Sequence, residues 1–237
     1  MKKTILIVLA AVLVLTLGAG AVWASNGQPA SKATAKMGDI AWLEEEDVWT
    51  TILTQNIKMP NMKDLFIDAS LQCGIYTETV VLSKQMQKDL AKAVGTISVR
   101  VKVVDTDTGQ LVAYAMPPFD AAHWDEGVVF AMRAQTLWAV LQGEVALDEE
   151  GGIEIVAPEE IGLILDTMDA HSFNFVAPDL PTGDLTVVVQ ARLDTYTELG
   201  GTELGSAVAD AAIGYGSVTI QQVRMIKSEE LIEVVPE

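Results

Sequence analysis

Two acidic spacings are the first candidates for chemistry. Asp105-Thr106-Asp107-Thr108-Gly109 sets two carboxylates two positions apart ahead of a glycine. A loop that wraps calcium begins this way, because that ion takes about six to eight carboxylate and carbonyl oxygens. Asp148-Glu149-Glu150 is a second acidic turn. The distant glutamate that completes an EF-hand loop is missing, since position 116 is Met. An Asp in such a turn also serves simply by bonding its own backbone. Asp105 and Asp107 are therefore the expected residues if calcium is bound, and a plain hairpin turn is the competing reading.

Sugar binding needs an exposed aromatic platform. Trp124, in the polar stretch 117–127, is the first choice, followed by Tyr196 and Tyr215 in later loops; a plug over the edge of the core is the alternative role for Trp124. His123 and His171 each lie near carboxylates, but neither belongs to an HxH, HxxxH or HExxH spacing. A zinc site needs three or four ligands in fixed geometry, so both histidines read as solvent-facing or capping groups. Cys73 shares parity with Leu65, Ile67, Ala69, Leu71 and Ile75 and reads as a small buried hydrophobe. Its sharper readings are an intermolecular disulfide or a nucleophile, and the second needs a base beside the thiolate. Glu154 and Asp194 could face each other as glycosidase carboxylates do, but in a chain with 33 acidic residues any such pair can be drawn. There is no nucleophile elbow, no dinucleotide-binding glycine fingerprint after a strand and no phosphate-binding P-loop.

The 237-residue chain has 15 Lys and Arg against 33 Asp and Glu, a formal net charge of −18. Nucleic-acid binding needs clustered cations, and anionic lipid repels such a surface, so neither is an expected partner. Lys2 and Lys3 open the chain, an apolar run from Ile5 to Leu15 follows, and Val22-Trp23-Ala24 puts small residues where a signal peptidase cuts. Residues 1–24 are therefore expected to be a signal peptide. The alternative is an uncleaved anchor, because residues 4–24 carry no charge and are long enough to span a bilayer. Either way the body is expected to be secreted, periplasmic or on the cell surface. Residues 25–40 are small, polar and aperiodic and read as a flexible linker. Residues 41–227 read as one domain, and 228–237 as an acidic tail.

The body reads as strands. Ile97, Val99, Val101 and Val103 alternate with Ser98, Arg100 and Lys102, then a turn over 105–109 leads to Leu111-Val112-Ala113-Tyr114, which predicts a hairpin. The same grammar recurs around Leu147–Gly152, around Leu180-Pro181-Thr182-Gly183-Asp184, and at Gly214-Tyr215-Gly216, where 206–214 and 217–227 read as a final pair. Residues 158–168 are ambiguous: Ile161, Ile164, Leu165 and Met168 suit a helix, while Ile161, Leu163, Leu165 and Thr167 alternate as in a strand. Strand neighbours tilt that segment toward strand. With 48–58 and 64–82 there are about ten antiparallel strands, which predicts an all-β, two-sheet β-sandwich or jelly roll.

From Ser172 to Lys227 the order is SFNF, the turn DLPTGD, the long strand LTVVVQARL, a small-residue loop and SVTIQQVRMI. That pattern resembles jelly-roll domains of the C1q and tumour-necrosis-factor type over about a quarter of the chain. The resemblance implies a trimer-forming, ligand-presenting architecture, without the collagen-like stalk and without site residues to carry across. The functional expectation is a non-catalytic binding or assembly protein at the cell envelope, self-associating or holding an extracellular protein or glycan. The alternatives are a jelly-roll hydrolase acting on polysaccharide and a calcium-stabilised carbohydrate-binding module.

Overall fold

The computed structural model describes residues 33–38, 41–43, 46–83, 88–117, 127–140, 144–147, 153–157, 159–201 and 205–225. Every regular element among them is a strand: β1 (Ala33–Gly38), β2 (Ala41–Trp42), β3 (Thr50–Met59), β4 (Lys63–Ser83), β5 (Lys88–Asp105), β6 (Leu111–Tyr114), β7 (Val128–Val140), β8 (Glu144–Leu147), β9 (Ile153–Ala157), β10 (Glu159–Leu180), β11 (Gly183–Gly200) and β12 (Ser206–Val223). Sheet A runs β1-β12-β4-β10, with β2 also on β12; sheet B runs β3-β11-β5-β6, with β7 also on β5. β6 and β7 lie end to end along one edge of β5, while β8 and β9 pair only with each other among the described strands. The chain is an all-β, two-sheet antiparallel β-sandwich, as its alternation predicts.

The period of two explains the layering. On β4, Leu65, Ile67, Ala69, Leu71, Cys73 and Ile75 turn inward; Ile97, Val99, Val101 and Val103 of β5 and Leu185, Val187, Val189, Ala191 and Leu193 of β11 meet them from the other sheet. Successive strand residues point to opposite faces, so a run of alternating β-branched residues buries one whole face. Phe130, Phe173 and Phe175 add an aromatic cluster, with ring centroids 5.3 Å apart for Phe173–Phe175 and 6.5 Å for the other two pairs.

Three local expectations change and one ambiguity is resolved. Residues 33–38, inside the stretch read as a flexible linker, form β1, because β12 offers an open edge to small side chains and Gln55 of β3 donates to the Thr34 hydroxyl at 2.6 Å. The segment 159–168 is strand, and it continues without a break through 172–176 in the 22-residue β10. The turn at Pro181-Thr182 does not close a hairpin; it carries the chain from sheet A to sheet B. Gly214-Tyr215-Gly216 is a bulge inside β12 and not a pivot between two strands, since both arms pair with the same strand, β4.

One buried carboxylate fixes the corner where β4 begins. Asp64 accepts the Asp179 backbone N–H at 2.9 Å and the Met225 N–H at 2.8 Å, tying the end of β10 and the segment after β12 to a single side chain. Asp179 adopts a φ of 54°, a left-handed backbone that Asp and Asn tolerate better than most residues.

Candidate functional site

The outer face of sheet A carries a hollow built by the β12 bulge. Met37 of β1, Ser217 of β12, Ser70 of β4 and Ser172 of β10 stand in one cross-strand row, because the registers pair Met37 with Ser217 and Ser70 with both Ser217 and Ser172. Next to that row the register of β12 slips between Ile213 and Gly216, which pushes Tyr215 out of the ladder. A bulge re-aims a side chain in this way. Tyr215 is 61% exposed. A side chain at either flanking glycine would force a neighbour to move: a Cβ on Gly214 would lie 2.9 Å from Gln72 Oε1, and one on Gly216 would lie 2.5 Å from Leu71 Cδ2. Gln72 Oε1 accepts the Tyr215 N–H at 3.3 Å and steadies the bulge.

The resulting hollow has a volume of about 390 Å³ and is lined by Met37, Ser70, Leu71, Gln72, Ala170, His171, Ser172, Tyr215, Gly216 and Ser217. None of these is Asp, Glu, Lys or Arg, in a chain whose formal charge is −18. Its side-chain chemistry is hydroxyl, amide and one open aromatic face. Such a surface can bind and orient a ligand.

The other candidates fall elsewhere. Asp105 is a turn cap: its Oδ1 accepts the backbone N–H of Asp107 at 3.1 Å, that of Thr108 at 2.8 Å and the Thr108 hydroxyl at 2.8 Å. Those bonds, the Thr108 hydroxyl first, hold its carboxyl below the usual carboxylate range. Gly109, at φ 69°, closes the turn by donating to the Asp105 carbonyl at 2.8 Å. Asp107 is exposed beside it, and among the described residues no three His, Cys, Asp or Glu side chains gather round a point where an ion could sit. Trp124, His123 and Asp148-Glu149-Glu150 lie outside the described residues. His171 sits at the hollow rather than beside a carboxylate cluster. Cys73 is buried in the core, and desolvation pushes its thiol up to about 12, which keeps it protonated and inert. Asp194 is committed to Arg192 Nε at 3.0 Å. Tyr196 donates to Glu198 at 3.1 Å, with the Lys92 ammonium 5.2 Å from its ring centre.

The outer face of sheet B is closed by a stack instead. The guanidinium groups of Arg100 and Arg192 lie 4.2 and 4.9 Å from the ring centre of Trp49, and Arg100 donates to Gln190 at 3.0 Å. Gly127, at φ 73°, brings the chain so close that a Cβ there would lie 2.6 Å from Trp49. Cation–π contacts of this kind stabilise by about 0.5–2 kcal/mol each. The Ser70, Gln72, Ser172 and Ser217 floor was not singled out by sequence reasoning. Its one visible signal is the Gly-Tyr-Gly triplet, whose meaning depends on a pairing partner far away in the chain.

Fold and surface together define the class: an antiparallel β-sandwich with a small, uncharged, aromatic-edged hollow on one outer face. No family model matches the chain, and no curated protein matches it. Among solved structures it is similar to that of the infectious bursal disease virus Gx strain, with 13% identity and a TM-score of 0.33 over 81% of this chain and 32% of that one. It is also similar to a CocE/NonD family hydrolase from Staphylococcus aureus, with 16% identity and a TM-score of 0.27 over 84% and 34% of the two chains. The Cry23Aa1 and Cry37Aa1 binary complex gives 9% identity and a TM-score of 0.25 over 83% and 80%. The chain thus spans about a third of the length of the first two. These likenesses are coarse, and the fold stands on the strand pairing itself.

Proposed function

We propose that the chain is a non-catalytic β-sandwich that acts outside the cytoplasm and assembles with copies of itself along the margin formed by β7 and β10. The observation that carries this reading is the exposed apolar surface of that margin. On β10, Ile161, Leu163, Ile164, Leu165 and Met168 are all exposed; on β7, Val129, Met132, Trp138 and Val140 are exposed as well. β10 is the last strand of sheet A, and among the described residues its outer edge has no strand partner apart from a bridge between Val176 and Met116. Natural edge strands are blunted by Lys, Pro or inward charges. Residues 161–168 contain neither Lys nor Pro and only one acid, Asp166. Exposed apolar side chains grouped on two neighbouring strands point to an interaction site, and low local charge lets two acidic chains approach there. The location outside the cytoplasm is supported by Lys2-Lys3, the apolar run behind them and Val22-Trp23-Ala24.

One experiment tests both parts. The whole chain is expressed in a secreting host, and the released protein is sized by chromatography with light scattering beside an Ile164→Lys/Met132→Lys variant. A discrete oligomer is expected for the native chain and a folded monomer for the variant. A native monomer at high concentration, or an unchanged oligomer in the variant, overturns the assembly reading. Retention of the chain in the cytoplasm overturns the location.

A further inference from the structure

The Tyr215 hollow has properties that the assembly margin does not share, and it lies on the outer face of the sheet rather than at its edge. Its floor offers groups that both donate and accept: Ser70, Ser172 and Ser217 each carry one hydroxyl donor and two acceptor lone pairs, and Gln72 carries an amide. The Gln72 oxygen is turned to the Tyr215 N–H, which leaves the amide nitrogen to donate elsewhere. Ser70 donates at a long 3.4 Å to Asp68, which leaves its oxygen free to accept. Along the rim stands a tyrosine ring that the bulge has lifted into solvent. At about 390 Å³ the hollow lies within the range of roughly 300–1,000 Å³ for small-ligand sites.

The charge pattern selects the ligand. An anion would meet no cation in the lining and would be repelled by the net negative charge of the chain. A cation would be drawn to the acidic surface generally but would find no carboxylate in the lining itself, Asp68 standing behind Ser70. What fits is a neutral molecule with hydroxyls that match the serines and an apolar C–H face that lies on an aromatic ring. We propose that this hollow binds neutral carbohydrate, with one sugar ring stacked on Tyr215 and its hydroxyls bonded to Ser70, Gln72, Ser172 and Ser217.

The test is titration calorimetry of the secreted protein with neutral cello-, laminari-, manno- and chito-oligosaccharides, on the native chain and on Tyr215→Ala and Tyr215→Phe. Tyr215 is exposed, so neither change disturbs the core. At least one oligosaccharide should bind; Tyr215→Ala should weaken it by about tenfold or more, as expected for loss of an aromatic contact, and Tyr215→Phe should retain most of the affinity. The Ile164→Lys/Met132→Lys variant should bind as the native chain does, because the site does not use the assembly margin. Absence of binding across the panel at roughly millimolar sugar, the weak end of specific affinity, overturns the proposal. So does binding that Tyr215→Ala leaves intact.

Discussion

Where β4 begins and β10 ends, large side chains fill the space between the sheets: Leu65, Ile67, Phe175, Leu180, Leu185 and Ile220 are almost wholly buried. At the opposite end the same strands continue, but the inward residues are Thr77, Thr79 and Val81 on β4 and Ala91, Ala93 and Gly95 on β5. Small residues let the sheets draw together; a Cβ on Gly95 would lie 2.9 Å from Ile75 of the facing sheet. A polar seam there stands beside a small apolar cluster of Val81, Ala91 and Ala139. Gln135 of β7 accepts from the Thr77 hydroxyl at 2.7 Å and donates to the Thr79 hydroxyl at 2.7 Å and the Leu163 carbonyl at 2.6 Å. Arg133, on the same strand, donates to the Thr167 hydroxyl. Ile161, Leu163 and Leu165 of β10 keep the alternation of the wide end at this end yet stay exposed, while Ile164 and Met168 fall on the other face. Alternation therefore reports what a strand can bury, and the facing strand decides what it does bury.

Phe175→Ala should break the wide end most severely. It empties the centre of the aromatic cluster, and replacing a buried Phe costs about 3–5 kcal/mol. Denaturant unfolding followed by circular dichroism should show that loss, with Phe130 and Phe173 left facing a void. A cost under about 1 kcal/mol would mean that the wide end collapses onto the gap and is less tightly packed than its burial indicates.

Gln135→Ala is the matching change at the slim end. It leaves two buried hydroxyls and a backbone carbonyl without their partner, a loss of about 1–3 kcal/mol. The combined Thr77→Val, Thr79→Val and Gln135→Leu chain should recover most of that loss, because both hydroxyls go with their partner and only the Leu163 carbonyl is left without the Gln135 amide. If the single change were silent, the seam would not hold the slim end, and attention would pass to Arg133.

This contrast also explains what could be read in advance. The hairpin around 105–109 and the runs over 64–82 and 97–103 were legible because each needs only its own period and turn residues. Residues 159–168 were ambiguous because Gly162 and a mixed apolar pattern suit either geometry, and only pairing with 74–83 of β4 resolves them as strand. β1 was hidden because its residues carry no pattern of their own and borrow order from β12. The hollow was hidden for a similar reason: its serines come from three strands, and no spacing within one segment joins them. Asp105 was legible as a residue of interest, while its role as a turn cap became visible only through its bonds.

The smallest expected effect belongs to that cap, which lies outside both ends of the core. Thr108 and the backbone of the turn stabilise the ionised Asp105 carboxyl, so its folded pKa lies below the unfolded value of about 3.9. A group shifted downward contributes stability that is full above the unfolded pKa and is lost as the pH falls through the folded one. Asp105→Ala should therefore lower the melting temperature slightly at neutral pH, and the gap between variant and native chain should close in acid as Asp105 is protonated. Melting curves taken across that range check the direction. Because Oδ1 already accepts three bonds, added calcium is expected to leave the native melting temperature unchanged. A calcium-dependent rise that Asp105→Ala abolishes would move Asp105 and Asp107 from turn to ligand. A rise that survives the change would place the ion elsewhere in the chain.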